Sequence, residues 1–305
     1  MKVSVRTVSS VVFAIMALGV FAKARAGLVN DVPSCYALAH IKPATMPYDK
    51  LIYILIDQTV KLTPDLEQSV VNNALRMVQP GSKFVIAEFS AFSQGRYLEV
   101  IHTGIEERPL AASRVDSTPI RAAHTLRRCL TMQAGFARRM VARTVARVLK
   151  ESKSTLDQSD IMLALKAVSK AIRTDPAHEK IVFVVTDGLE NSSVTSFYMD
   201  NSVRNIDPSA EIAKAAAAHL FGDFGGASVY VLGGAMMPPA SNGTRAQRDG
   251  YRDPTVLRHL KAFWREYFTR SGACLVEFGE PALTRPVSYV NPQCKAAIPK
   301  ARKTS

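Results

Sequence analysis

Two short, nearly unbroken apolar runs constrain this chain more than any other feature: Leu51 to Ile56 (LIYILI) and Lys180 to Thr186 (KIVFVVT). Neither alternates polar with apolar positions, so a strand built from either has no face to offer to water. Such strands belong in a sheet covered by helices on both sides, usually a parallel one. The first run closes on Asp57 and the second on Asp187.

The segments between them supply the covering helices. Thr63-Pro64-Asp65 sets a helix start with Pro at its first position, and the periodic Leu66, Val70, Ala74 and Val78 carry it to Pro80-Gly81. Lys83 to Phe89 and Arg96 to His102 read as strands joined through Ser93-Gln94-Gly95, a connection short enough for an antiparallel hairpin. After a loop over 103–120, Arg121 to Glu151 is expected to be helical, with a break near Gly135. Further helices are expected over Asp160 to Ile172, Ser209 to Phe221 and Pro254 to Arg270, with strands at Ala227 to Leu232 and Ala273 to Glu277. Strands alternating with helices this long specify a three-layer α/β fold, Rossmann-like, with a mostly parallel central sheet and one antiparallel edge strand.

The chain is long and apolar enough to bury one full core, with 305 residues of which 47% are hydrophobic and 21% charged. A mean hydropathy of +0.03 excludes a polytopic membrane protein. Lys2 and Arg6, the apolar stretch Val11 to Ala22 and the small-residue site Ala24-Arg25-Ala26 read as a secretory signal over residues 1–26. The stretch falls short of the ~20 residues a spanning helix needs, and a retained anchor is the competing reading. Removing the segment takes four basic residues with it and lowers the formal charge from +13 to +9. The remaining organisation is a lead-in over 27–48, the α/β domain over 49–278 and a basic tail over 279–305.

An exported chain with four cysteines and no CxxC pair is expected to hold disulfides rather than a zinc ribbon. Cys35 in the lead-in and Cys294 in the tail flank the domain and are the expected pair. Cys274, in an apolar strand, reads as a free core thiol. The six histidines show no ligand spacing, and GxSxG, HExxH, P-loop and GxGxxG patterns are lacking. Asn191-Ser192-Ser193 and Asn242-Gly243-Thr244 match glycosylation sequons, a pattern common by chance.

Asp57 and Asp187 should emerge at the carboxyl edge of the sheet, where open α/β sheets bind ligands. Two carboxylates 4 Å apart repel by about 4 kcal/mol at an effective dielectric near 20, so a cation or proton must accompany them. Hydroxyls stand near both: Thr59 two residues after Asp57, and Ser159 at the head of the helix before the second apolar strand. The bland reading, that both aspartates only cap turns, is weakened by their common position after the two most buried strands.

Asp57-Gln58-Thr59-Val60-Lys61, the later Ser159-Asp160-Ile161-Met162-Leu163-Ala164-Leu165 and Thr186-Asp187-Gly188, in that order, resemble the three loops of a von Willebrand factor type A domain across about residues 49–278. The resemblance implies a metal-ion-dependent adhesion site that holds Mg²⁺ and takes a carboxylate from a partner protein. Asp57, Thr59, Ser159 and Asp187 match that site in chemistry. Lys61 stands where the family has a second serine, so three occupants stay open: a metal, the Lys61 ammonium in its place, or neither. A hard divalent ion on oxygen ligands would be Mg²⁺, Mn²⁺ or Ca²⁺.

Protein docking in a cell-envelope or secreted assembly is therefore the expected function, without catalysis. A haloacid dehalogenase-like phosphohydrolase with Asp57 as nucleophile is the enzyme alternative. It lacks the second acid two residues on, and a helix starting at Pro64 leaves no room for a flap. A structural envelope protein with a decayed metal site is a third reading.

Arg121 to Lys150 contains eight basic residues and no acidic one, with Val141, Val145 and Val148 opposite the cationic stripe. A solvated helix face explains this, and so does an anionic membrane surface or acidic protein; nucleic acid is not the expected partner of an exported chain. Phe263, Trp264, Tyr267 and Phe268 read as core.

Overall fold

The computed structural model describes residues 30–90, 98–153, 158–199, 202–237 and 253–290. The signal segment, the Ser93-Gln94-Gly95 connection, Asn242 and Cys294 lie outside the described residues. Eight strands and seven helices are numbered here in chain order. β1 (Lys50–Asp57), β2 (Ser82–Phe89), β3 (Leu98–Glu106), β4 (Glu179–Val185), β7 (Ser228–Leu232) and β8 (Cys274–Phe278) form one six-stranded sheet in the order β3-β2-β1-β4-β7-β8. Every neighbouring pair is parallel except β2 with β3. This is the mostly parallel α/β sheet that the apolar runs specify, with the antiparallel edge expected of a short connection between β2 and β3.

The apolar runs dictate two cores, one on each face. In β1, Leu51, Tyr53 and Leu55 enter one cluster while Ile52, Ile54 and Ile56 enter the other. Each fully buried aliphatic or aromatic side chain contributes roughly 1.5–3 kcal/mol, so this strand anchors both layers. On one face lie α5 (Ile161–Thr174), α6 (Pro208–Ala217) and α7 (Pro254–Arg270). Phe263, Trp264, Tyr267 and Phe268 are buried there as expected and share one cluster with Val182, Val184, Val229 and Val231 of the sheet, and edge-to-face ring pairs such as Phe268 with Phe224, centroids 6.0 Å apart, tie α7 to the segment before β7. On the other face lie α2 (Pro64–Met77) and α4 (Ile120–Glu151).

Six elements differ from the expectation. α4 runs 32 residues without a break at Gly135. A mid-helix glycine costs about 1 kcal/mol relative to Ala, and burial of Gln133, Ala137 and Val141 around it offsets that cost. β3 extends to Glu106, because Thr103 to Glu106 continue the ladder against Val85 to Ser82. Two one-turn helices, α1 (Cys35–Leu38) and α3 (Ala112–Val115), and the small hairpin of β5 (Tyr198–Met199) with β6 (Ser202–Val203) lie in segments read as irregular.

The flanking segments pack on the domain. Asp31 accepts the Thr103 amide through its side chain. At the other end Val287 is buried in the α2/α4 core, and Tyr230 and Ser228 donate to the carbonyls of Ser288 and Val290.

Candidate functional site at the carboxyl edge of the sheet

β1 and β4 are adjacent and parallel, with β2 beyond one and β7 beyond the other, so the strand order reverses between them. Their register pairs Ile56 with Val185. Asp57 therefore stands level with Thr186, and Asp187 follows directly, at the switch point where such sheets open a crevice.

Asp57 is 1% exposed, and hydroxyls from three loops compensate its buried carboxylate. Oδ1 accepts the Thr59 hydroxyl at 2.6 Å and the Thr59 amide at 2.9 Å. Oδ2 accepts the Thr186 hydroxyl at 2.8 Å and the Ser159 hydroxyl at 3.0 Å. Burial pushes the Asp57 carboxyl up, and the hydrogen bonds from Thr59, Thr186 and Ser159 pull the other way. Ser159 is held in reach because its backbone pairs with Asn191 in a two-way bridge. Asn191 thus acts through its main chain, as a loop residue.

Asp187 is also buried. Its Oδ1 accepts the Leu189 amide at 2.8 Å, and its Oδ2 accepts the Tyr198 phenol at 2.7 Å. The Tyr198 hydroxyl is held far above its ordinary value by burial first, then by Asp187 and Asp57. Asp187 directly follows Thr186, whose hydroxyl Asp57 accepts, so the two carboxylates lie in a single neighbourhood. Gly188 makes the turn that follows Asp187, with φ of +69°. Its carbonyl accepts the Trp264 indole N–H at 2.8 Å, which fixes the turn to α7.

The donors at this edge are all oxygen: two carboxylates and the hydroxyls of Thr59, Ser159 and Thr186. A hydroxyl that donates to Asp57 keeps lone pairs for a cation, so the set suits a hard ion. Among the described residues no group of three or more His, Cys, Asp or Glu could hold a metal. Sequence reading missed Thr186, Tyr198 and Glu190. Thr186 was legible as the residue before Asp187, whereas Tyr198 arrives from the β5–β6 hairpin and has no local signal. Glu190 is buried behind the site, accepts the Met162 amide in the first turn of α5 at 2.9 Å, and is pushed up by burial to about 8.

Three readings are corrected. Lys61 is exposed and forms no ion pair among the described residues, so it does not fill the space between Asp57 and Asp187. It lies beyond the turn that Thr59 makes onto Asp57, between the buried Val60 and Leu62, which take the inward positions. Cys35 does not await Cys294: it is bonded to Cys129 on α4, with Cα atoms 5.4 Å apart. Cys274 is disulfide-bonded and not a free thiol. The first pairing follows from the lead-in folding back onto α4, where Tyr36, Ala39 and Leu126 form a small cluster around the bridge.

The sequence matches no family model and no curated protein. Among solved structures, an aerotolerance-related membrane protein from Bacteroides fragilis NCTC 9343, carrying multiple mutations to serine, matches with a TM-score of 0.33 and 13% identity. The match covers 73% of this chain and 88% of that one. A likeness of that degree carries no argument about function.

Proposed function

We propose that this chain is an exported docking protein of the von Willebrand factor type A kind, which grips a partner protein through the carboxyl edge of its sheet. The observation that carries this reading is the convergence of Thr59, Ser159 and Thr186 hydroxyls on both oxygens of Asp57, with Asp187 next in register. Asp57, Thr59, Ser159 and Asp187 would hold one divalent cation, Mg²⁺ foremost. When bound, the cation would offer an open position to a carboxylate of the partner.

The residues of the chain do the preparatory work. The hydroxyls keep Asp57 ionisable in a buried setting, and the Gly188 turn with the Leu189 amide fixes the direction of Asp187. Both oxygens of Asp57 are engaged and the residue is buried, which supports a structural and ligating role over nucleophilic attack on a phosphate. The leader segment and the disulfides fit a cell-envelope setting.

Titration calorimetry with Mn²⁺ and Mg²⁺ tests the site. Saturable binding at micromolar to low-millimolar concentration is expected, lost in Asp57→Asn and weakened in Thr59→Ala and Ser159→Ala. Wild-type protein with no heat of binding and no change in melting temperature at 10 mM Mg²⁺ would overturn the cation site. Phosphatase activity lost in Asp57→Asn would replace docking with hydrolysis.

A further inference from the structure

α4 is 32 residues long, about 48 Å at 1.5 Å per residue. Its eight basic side chains are all exposed, and its single acidic residue, Glu151, pairs with Arg147 at 3.3 Å. Arg121, Arg127, Arg128, Arg139, Arg143 and Lys150 form no ion pair among the described residues. At 3.6 residues per turn, Arg121, Arg128, Met132, Phe136, Arg139 and Arg143 fall within one arc of about 80°. The arc opposite them, with Leu126, Ala137, Val141 and Val148, is buried.

The face is not simply a solvated cationic surface, because two large apolar side chains stand in its middle. Met132 is 57% exposed and Phe136 is 41% exposed. Leu38 of α1 and Ile120 at the start of α4 are also exposed, at 58% and 76%. A phosphate backbone would satisfy the arginines but give Met132 and Phe136 nothing. A medium that is anionic at its surface and apolar just beneath satisfies both.

The covalent path points the same way. The Cys35–Cys129 bridge fastens the lead-in to α4 one turn from Met132. The apolar run Val11 to Ala22 precedes Cys35 by about a dozen residues, so in a chain still carrying its leader only a short link separates that run from the bridge to this helix. No helix among the described residues is long and apolar enough to cross a membrane.

We infer that the solvent face of α4 from Arg121 to Arg143 docks on an anionic lipid bilayer, with Met132 and Phe136 entering the headgroup boundary between the arginines. This stands independently of the cation site. The far end of α4 lies beside that site, since the Gln58 side chain donates to the Val148 carbonyl and the Lys153 amide to the Gln58 carbonyl. A chain docked by the Met132 end would therefore hold the Asp57 edge roughly 20 Å further along the helix.

Vesicle co-sedimentation of the full chain tests this. Phosphatidylcholine vesicles report whatever the leader contributes, and vesicles with 30% phosphatidylglycerol add the anionic surface. Binding to the mixed vesicles is expected to be at least about tenfold tighter than to phosphatidylcholine, and to weaken with salt. The triple variant Arg128→Glu, Arg139→Glu, Arg143→Glu should lose roughly a hundredfold or more at about one factor of five per charge removed. Met132→Ser with Phe136→Ser should lose about tenfold on the mixed vesicles at every salt concentration. Circular dichroism and melting temperature confirm that the variants fold; all positions changed are exposed. Equal binding to both vesicle types overturns the proposal. So does random-sequence DNA bound more tightly than the mixed vesicles, with the Met132 and Phe136 variant unaffected on either, which would mark a nucleic-acid surface instead.

Discussion

The Tyr198 phenol donates a 2.7 Å hydrogen bond to Oδ2 of Asp187 from a two-residue strand eleven positions further along the chain. Burial and the two carboxylates keep that phenol protonated, so it supplies positive charge density where a divalent ion would sit. A hydrogen bond to a charged group is worth about 1.5–3 kcal/mol, and an ion reaching Oδ2 must displace this one. Tyr198→Phe is therefore expected to raise Mn²⁺ affinity by about tenfold or more, read by titration calorimetry. A fall in affinity would instead make the phenol a support that orients Asp187 around the ion.

Gly188 connects the site to the core. A Cβ at this position would lie 2.9 Å from Trp264 Nε1 and 3.0 Å from Phe278 Cζ, on a backbone with φ of +69°. The left-handed conformation alone costs a non-glycine residue about 1–2 kcal/mol, and the ring contacts add to it. Gly188→Ala should lower unfolding free energy by roughly 3 kcal/mol in urea melts. It should also weaken cation binding, because relief of the clash moves the turn that carries Asp187.

The sheet was legible because β1 and β4 are apolar throughout, and the site was half legible because Asp57 and Asp187 terminate those strands. Thr59 followed from spacing along one turn, and Ser159 from its place before α5. Other features depend on which way a loop folds, and chain spacing does not carry that. Lys61 is two residues from Thr59, yet Val60 and Leu62 take the buried positions and turn it outward. Tyr198 reaches Asp187 only because Phe197 is buried against Phe263, with ring centroids 4.9 Å apart, which seats the hairpin. The cysteine pairing was hidden for the same reason, since nothing in the lead-in's composition announces that it folds back on α4.

That pairing has a measurable consequence. Cys35 and Cys129 are 94 residues apart, and closing a loop of that length in the unfolded chain stabilises the fold by about 4–5 kcal/mol. The bridge sits in a small peripheral cluster separate from the two sheet cores. Cys35→Ser with Cys129→Ser should therefore keep the far-ultraviolet spectrum and shift the urea midpoint down. Cleavage by protease should appear first around residues 40–46, ahead of global unfolding. Simultaneous loss of all structure would show that the lead-in is integral to the main core.

Glu190 sets a pH dependence of opposite sign to that of a salt-bridged carboxylate. Burial raises it from an ordinary 4.5 to about 8, although its Oε2 accepts the Met162 amide. Between those two values the folded chain holds a proton that the unfolded chain has released. The stability conferred by that proton is complete below pH 4.5, declines as pH rises, and is gone above about pH 8. The slope from one such group is at most about 1.4 kcal/mol per pH unit. Gln at this position still accepts the Met162 amide but cannot ionise. Glu190→Gln should flatten the profile of unfolding free energy between pH 5 and 8, and should exceed the wild type in stability at pH 8.5. Urea melts of both proteins at pH 5, 6.5 and 8.5 measure the difference, and parallel profiles would mean that Glu190 titrates alike in the folded and unfolded chain.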